Sequence, residues 1–244
     1  MLEQFKAASP AIATLIFLVA NVLIFLSSVA LCWCLGRVFH RHRLFDRWEP
    51  LRGVEVLAAV GAVILNASVS MLGWWLWTLD VFTVQPFSFT RLLMDCLLMV
   101  LFMDFGMYWL HRIAHHPFLF ATVHRFHHRH EVTNPISLFV LHPVEVLGFG
   151  CLMIAFLVVY PISLGGLMAY LTLNILFGTL GHSGVEPFPN SFKTTPVLSL
   201  LGTSTFHAEH HEHPSHNFGF YTLVWDKLFN TLDPDYDERF GRAS

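Results

Sequence analysis

Fourteen of the sixteen histidines in this 244-residue chain lie between His111 and His216. They recur in groups with a shared spacing. "HRIAHH" holds His111, His115 and His116, and "HRFHH" holds His124, His127 and His128. "HAEHH" holds His207, His210 and His211, while His182 stands alone in "GTLGHSG". Residues three and four apart share a helix face. His111 and His115 therefore point one way, with His116 about 100° away. On a helix the second and third groups would each converge in the same manner. Two or three imidazoles on one face form a half-site for a transition metal. One zinc ion takes three or four ligands, so nine well-placed histidines suffice for two metals with positions left open. His40 and His42 have no such group around them and read as ordinary polar residues of a basic loop.

Rival chemistries fit less well. Haem in a helical membrane bundle needs isolated histidines inside facing apolar helices, whereas these are dense and lie beyond the apolar runs. Zinc proteolysis wants H-E-x-x-H, which is absent, and "GHSGV" is not the G-x-S-x-G of a serine hydrolase. The four cysteines, Cys32, Cys34, Cys96 and Cys151, sit in apolar runs without a C-x-x-C pair and read as small buried hydrophobes. A metal transporter would also carry histidine clusters, but it needs polar ligands near the middle of the membrane. The apolar runs hold little beyond Asn66, Asp95 and Asn174. A histidine-rich metal-binding or metal-transport protein without enzymatic activity is the alternative reading.

The elements that must position these histidines are written in hydropathy. The chain is 55% hydrophobic and 13% charged, with 24 Phe and 7 Trp. Soluble domains carry about 25% charged residues, so lipid-facing helices with aromatic anchors are expected. A net charge of −3 and the lack of a basic stripe argue against a nucleic-acid partner. Residues 11–36 are uncharged and long enough to span a bilayer, which takes about 20 residues. A second run covers 54–79 and ends in Trp74, Trp75 and Trp77, and a third covers 92–110. Residues 144–180 are apolar again, broken by "YPISLGG", and read as a helical hairpin of two short spans. The fold class is all-α: an integral membrane bundle of about three full spans plus a hairpin, under a histidine-rich helical cap. Arg37, Arg41, Arg43, Arg47 and Arg52 hold the first loop inside, because basic loops stay cytoplasmic. Counting spans then puts the N-terminus outside and every histidine after His111 on the cytoplasmic face.

"DFGMYWLHRIAHH", "HRFHHRH", "HPVE", "GHSG" and "FHAEHH…NFG", with "WDKLFNT" behind them, resemble the fatty acid hydroxylase superfamily. This family includes sterol desaturases, sterol methyl oxidases and lipid hydroxylases. The resemblance covers roughly residues 92–232. It divides the chain into an N-terminal part, 1–91, of transmembrane helices and basic loop, and a catalytic region, 92–244. It implies a membrane-embedded di-iron oxygenase that uses O2 and two electrons to hydroxylate or desaturate an unactivated C–H position of a lipid. Nitrogen sites of this kind take zinc as well.

The family pattern carries His111, His115, His124, His127, His128, His182, His207, His210 and His211 over as ligands. His142 of "HPVE" is either a ligand or a hydrogen-bonding group at a helix end, and His116 is a tenth ligand or a supporting group. Asp104, Glu145, Glu209 and Asp226 are candidates to hold a ligand's second ring nitrogen; for Glu209 and Asp226 the competing reading is an exposed charge. The sequence departs from the family at Asn230, where "LFGT" is usual, and in the extra His213 and His216. No Rossmann fingerprint is present, so a separate reductase or small electron carrier is implied. The charged segment from Asp226 to Arg242, with Asp233, Asp235 and Asp237, reads either as a solvated end with no partner or as the docking surface for that carrier.

Overall fold

A computed structural model describes residues 2–46, 48–129 and 132–242. Arg47 of the basic loop lies outside the described residues. A short helix, α1 (Leu2–Lys6), precedes the long apolar helices α2 (Pro10–Val38), α3 (Gly53–Thr78) and α4 (Phe89–Ala114). One turn, α5 (Pro117–Leu119), leads into a π-helical turn at Phe120–His124 and a 3-10 turn at His127–Arg129. The hairpin follows as α6 (Pro143–Val159) and α7 (Leu164–Gly181). Four short helices complete the chain: α8 (Ser191–Thr194), α9 (Ser204–Glu212), α10 (Val224–Leu228) and α11 (Tyr236–Arg239). No strand occurs among the described residues.

Helices α2, α3, α4 and α7 are long and apolar enough to cross a membrane, and α6 is a slightly shorter apolar helix. The protein is an integral membrane protein. The hairpin is therefore fuller than expected, because α7 alone reaches spanning length. The starts of the long helices are chemically marked. Ser9 accepts from Ile12 N–H ahead of Pro10, and Ser163 accepts from Gly166 N–H at the head of α7. Proline at the first position and a hydroxyl just before it both suit orphan helix-terminal N–H groups.

The chain runs back and forth, α4 packing mainly on α7, α2 on α3, and α3 on α6. Consequently the ends near residues 38, 53, 114, 143 and 181 share one face of the bundle with the cap. The two faces are tied by polar residues inside the apolar runs. Asp95 accepts from Ser163 N–H and the Tyr160 hydroxyl, both at 2.7 Å, which holds the hairpin turn against α4. Beside it a Cβ on Gly166 would meet the Asp95 Cβ at 2.4 Å, so only glycine allows this approach. Asn174 accepts from the Tyr221 hydroxyl at 2.6 Å and joins α7 to the cap. Asn230, where the family has glycine, adopts φ +54°, a left-handed conformation that asparagine tolerates better than most residues.

Candidate metal centre

Histidine nitrogens converge at the cap-side ends of the helices in two sets. Ligand atoms of His111, His115, His124, His128 and His210 all lie within 4.8 Å of one another, and so do those of His127, His182, His207 and His211. The second and third boxes are divided between the sets, whereas His111 and His115 of the first both join the five-nitrogen set. "HRFHH" sends His124 and His128 to one and His127 to the other; "HAEHH" sends His210 to the first and His207 and His211 to the second. The third box lies entirely within an α-helix, α9, while the first ends α4, with His115 as its C-cap. The second box straddles the π turn and the 3-10 turn, so its convergence does not follow from a shared α-helical face as expected. His116 belongs to neither set. His142 belongs to neither set as well: it is the N-cap of α6, its Nδ1 accepting from Val144 N–H at 3.2 Å.

The second ring nitrogens have defined partners. His111 Nδ1 donates to the Phe218 carbonyl at 2.9 Å, His127 Nδ1 to Val140 at 3.2 Å and His210 Nδ1 to His216 at 2.6 Å. His124 Nδ1 donates to Glu145 Oε1, while Glu145 Oε2 accepts from His142 N–H at 2.9 Å. Ser137 Oγ donates to the Asn134 carbonyl at 2.7 Å and so accepts from His182 Nδ1 at 2.8 Å. A neutral imidazole has one N–H and one lone pair. With both Nδ1 atoms committed as donors, the Nε2 atoms of His111 and His124 carry lone pairs, and they face each other at 3.1 Å. His182 Nε2 and His207 Nε2 face at 3.0 Å. Two lone pairs at that distance repel unless a cation lies between them. Two nitrogens about 2.1 Å from one metal and at right angles are about 3.0 Å apart, so the donor set fits a transition metal. His115 Nε2, His128 Nδ1 and His210 Nε2 are buried without a hydrogen-bond partner, which is costly unless something else binds them.

Burial makes the imidazoles neutral donors. It holds His124 down at about 4 and, with help from His124, His127 at about 3. His115, His128, His182, His207 and His210 are pushed below the ordinary imidazole value by burial first and by neighbouring histidines second.

Of the four carboxylates expected to support ligands, only Glu145 touches a histidine of the two sets. Asp104 instead accepts from Tyr221 N–H, Thr222 N–H, the Thr222 hydroxyl and Trp225 Nε1, locking α4 to the loop before α10. Asp226 acts at one remove. It accepts from Phe218 N–H at 2.8 Å and Gly219 N–H at 2.7 Å. The Phe218–Gly219 peptide thus offers its N–H to Asp226 and its carbonyl to His111. A Cβ on Gly219 would stand 2.7 Å from Asp226 Oδ2 and 2.4 Å from the Thr222 carbonyl, which explains the glycine of "NFG". Glu209 joins neither nitrogen set; burial, then Asp233, raises its carboxyl to about 8. Both Glu209 and Asp226 are buried, not exposed. Asp233 is buried too, receiving a bond from His213 Nδ1 at 3.0 Å, so the acidic tail presents less charge to solvent than expected. Sequence reasoning missed Ser137 and Glu186. The latter accepts from Thr205 N–H and Oγ1 and seats the start of α9.

A model of the fatty acid hydroxylase family matches residues 96–231, over half of the chain. A rice (Oryza sativa subsp. japonica) very-long-chain aldehyde decarbonylase, GL1-7, is 31% identical over 83% of this chain and 33% of its own length. Protein CER1-like 1 of Arabidopsis thaliana is 31% identical over 57% of this chain and 23% of its own. A Delta(7)-sterol 5(6)-desaturase of Leptosphaeria maculans is 27% identical over 59% of this chain and 38% of its own. The alignments thus span about a third of these curated relatives. No solved structure matches the chain. The matched segment contains all three histidine boxes and His182, and on that match the chain belongs to the fatty acid hydroxylase family.

Proposed function

We propose that this protein is a membrane di-iron oxygenase that hydroxylates or desaturates an unactivated C–H position of a lipid. The observation that carries the reading is the pair of Nε2 lone pairs of His111 and His124, held face to face by committed Nδ1 atoms. Five nitrogens in one set and four in the other support two metals of different surroundings. When bound, two iron ions supply the activation of dioxygen that an unactivated C–H bond requires. The chain's own part is to hold and to exclude. Carbonyls of Val140, His216 and Phe218 fix ring orientation, and Glu145 strengthens His124 as a donor. An apolar cavity of about 520 Å³ ends on His111, His124, His127, His182 and His207, keeping water away from that end.

Relatives named for a very-long-chain aldehyde and for a sterol support a lipid as the substrate class. The two electrons come from a separate reductase or small carrier. The basic loop supports a cytoplasmic histidine face. A metal transporter is less well supported, because Asp95 and Asn174 inside the bundle are spent on Ser163, Tyr160 and Tyr221. The test is lipid mass spectrometry of cells carrying the intact gene against cells carrying a His111→Ala, His124→Ala variant. A lipid gaining an oxygen atom or a double bond only with the intact gene is expected. Identical lipid profiles, with both proteins inserted, would refute it.

A further inference from the structure

The cavity does not stop at the histidines. Its wall follows α3 from Ala62 to Trp77, about 22 Å at the α-helical rise, and ends against Leu2 and Phe5 of α1 on the opposite face of the bundle. The cavity, about 520 Å³, is thus elongated and apolar, running from the histidines to α1. That shape suits an extended alkyl chain lying along it.

The blind end is built. The Trp74 indole N–H donates to the Phe5 carbonyl at 3.1 Å, and the Phe5 ring packs on Phe17 with centroids at 5.6 Å and near Trp77 at 6.3 Å. Lys6 pairs with Asp80 just past α3 and lies over the Trp77 ring. These contacts fasten a five-residue helix, too short to persist by itself, across the end of the cavity.

We propose that the cavity receives a single unbranched hydrocarbon chain, tail first, and that Phe5, backed by Trp74 and Trp77, is the stop that sets the longest chain accepted. This deepens the lipid-oxidising reading and rests on it for the reacting end only. A tail that touches Phe5 fixes which carbon lies beside the histidines, so the stop governs position as well as length.

The experiment uses metal-free purified full-length protein, so that binding is read without turnover. It is equilibrated with an equimolar series of saturated n-alkanols plus cholesterol, freed of unbound lipid, and extracted for mass spectrometry. Wild type should retain alkanols up to a sharp upper length. Phe5→Ala should move that limit to longer homologues, with about a fourfold gain in retention for each methylene newly accommodated, from about 0.8 kcal/mol per CH2. Phe5→Trp should move it to shorter ones. A limit unchanged in both variants overturns Phe5 as the stop, and retention of cholesterol in preference to every alkanol overturns the chain-shaped occupant. If the limit moves as described while no lipid is oxidised by the iron-loaded protein, the oxygenase reading fails and the stop stands.

Discussion

Glu145 offers the sharpest perturbation, because its two oxygens do different work. Oε1 accepts from His124 Nδ1 and Oε2 accepts from the His142 N–H that opens α6. Glu145→Gln keeps the shape but replaces one acceptor by an NH2 donor. If the amide oxygen stays with His142, the NH2 group confronts His124 Nδ1–H. His124 must then move its proton to Nε2, and a protonated nitrogen has no lone pair for a metal. Loss of a partner of this kind lowers metal affinity by about 10- to 100-fold, about 1.4–2.7 kcal/mol at 1.4 kcal/mol per tenfold. If the amide turns the other way, the metal set survives and α6 loses a terminal bond, costing about 1 kcal/mol. The first outcome is expected, since His124 Nε2 already faces His111 and His128 at 3.1 Å and the proton has nowhere better to go once Nδ1 is blocked. The assay is iron per chain after graded chelator dialysis, with far-UV circular dichroism as the control for folding. A Gln variant that holds iron against the chelator as wild type does would refute the argument that Glu145 sets the tautomer of His124.

Three further outcomes are expected. His210→Ala should lose turnover and lower bound iron while remaining inserted, because its Nε2 is buried in the five-nitrogen set, whereas His40→Ala should change neither; equal behaviour of the two variants would sink the division of the histidines. Asp226 is raised from the ordinary carboxylate value of 3.8 to about 6 by burial, so the folded state binds its proton more tightly than the unfolded chain does. Its contribution therefore falls as pH rises from about 4 to about 6, by about 3 kcal/mol at most, and is level above that; thermal melts in detergent should show that slope in wild type and lose it in Asp226→Asn. A single cysteine at Arg242, in a background without the four native cysteines, should resist an impermeant thiol reagent in intact cells and react after lysis; labelling of intact cells would invert the topology.

The helical bundle was legible because hydropathy writes spans directly: the runs 11–36 and 92–110 lie inside α2 and α4, and 54–79 overruns α3 by one residue. The histidines were legible as groups because their spacing is local. Their partition was not. It depends on α4, the π turn and α9 crossing at one point, and no local period encodes a crossing. Asp104 illustrates the limit. Two turns before His111 does place it on the same helix face, but that face meets the 221–225 loop before it meets any ring nitrogen. His142 and Ser137 were ambiguous or silent for a similar reason: a cap and a hydroxyl acceptor acquire meaning only from the backbone that closes around them. Residues 2–6 carried no signal, since a helix of that length is held by tertiary contacts alone.

The division of the second and third boxes between two sets has a consequence for how the centre is built and kept. Neither set is a cassette that can be filled, emptied or lost by itself. Ordering the π and 3-10 turns around His124 and His128 also places His127, three residues from one and adjacent to the other, and ordering α9 around His210 also places His207 and His211. Occupation of one set thus prepays the ordering entropy of the other, so the two should fill together over a narrow range of metal concentration. The same interlock makes the pair resistant to erosion. A chain drifting toward a single-metal centre would have to abandon histidines from shared segments, and each such loss would loosen the neighbour it was meant to spare.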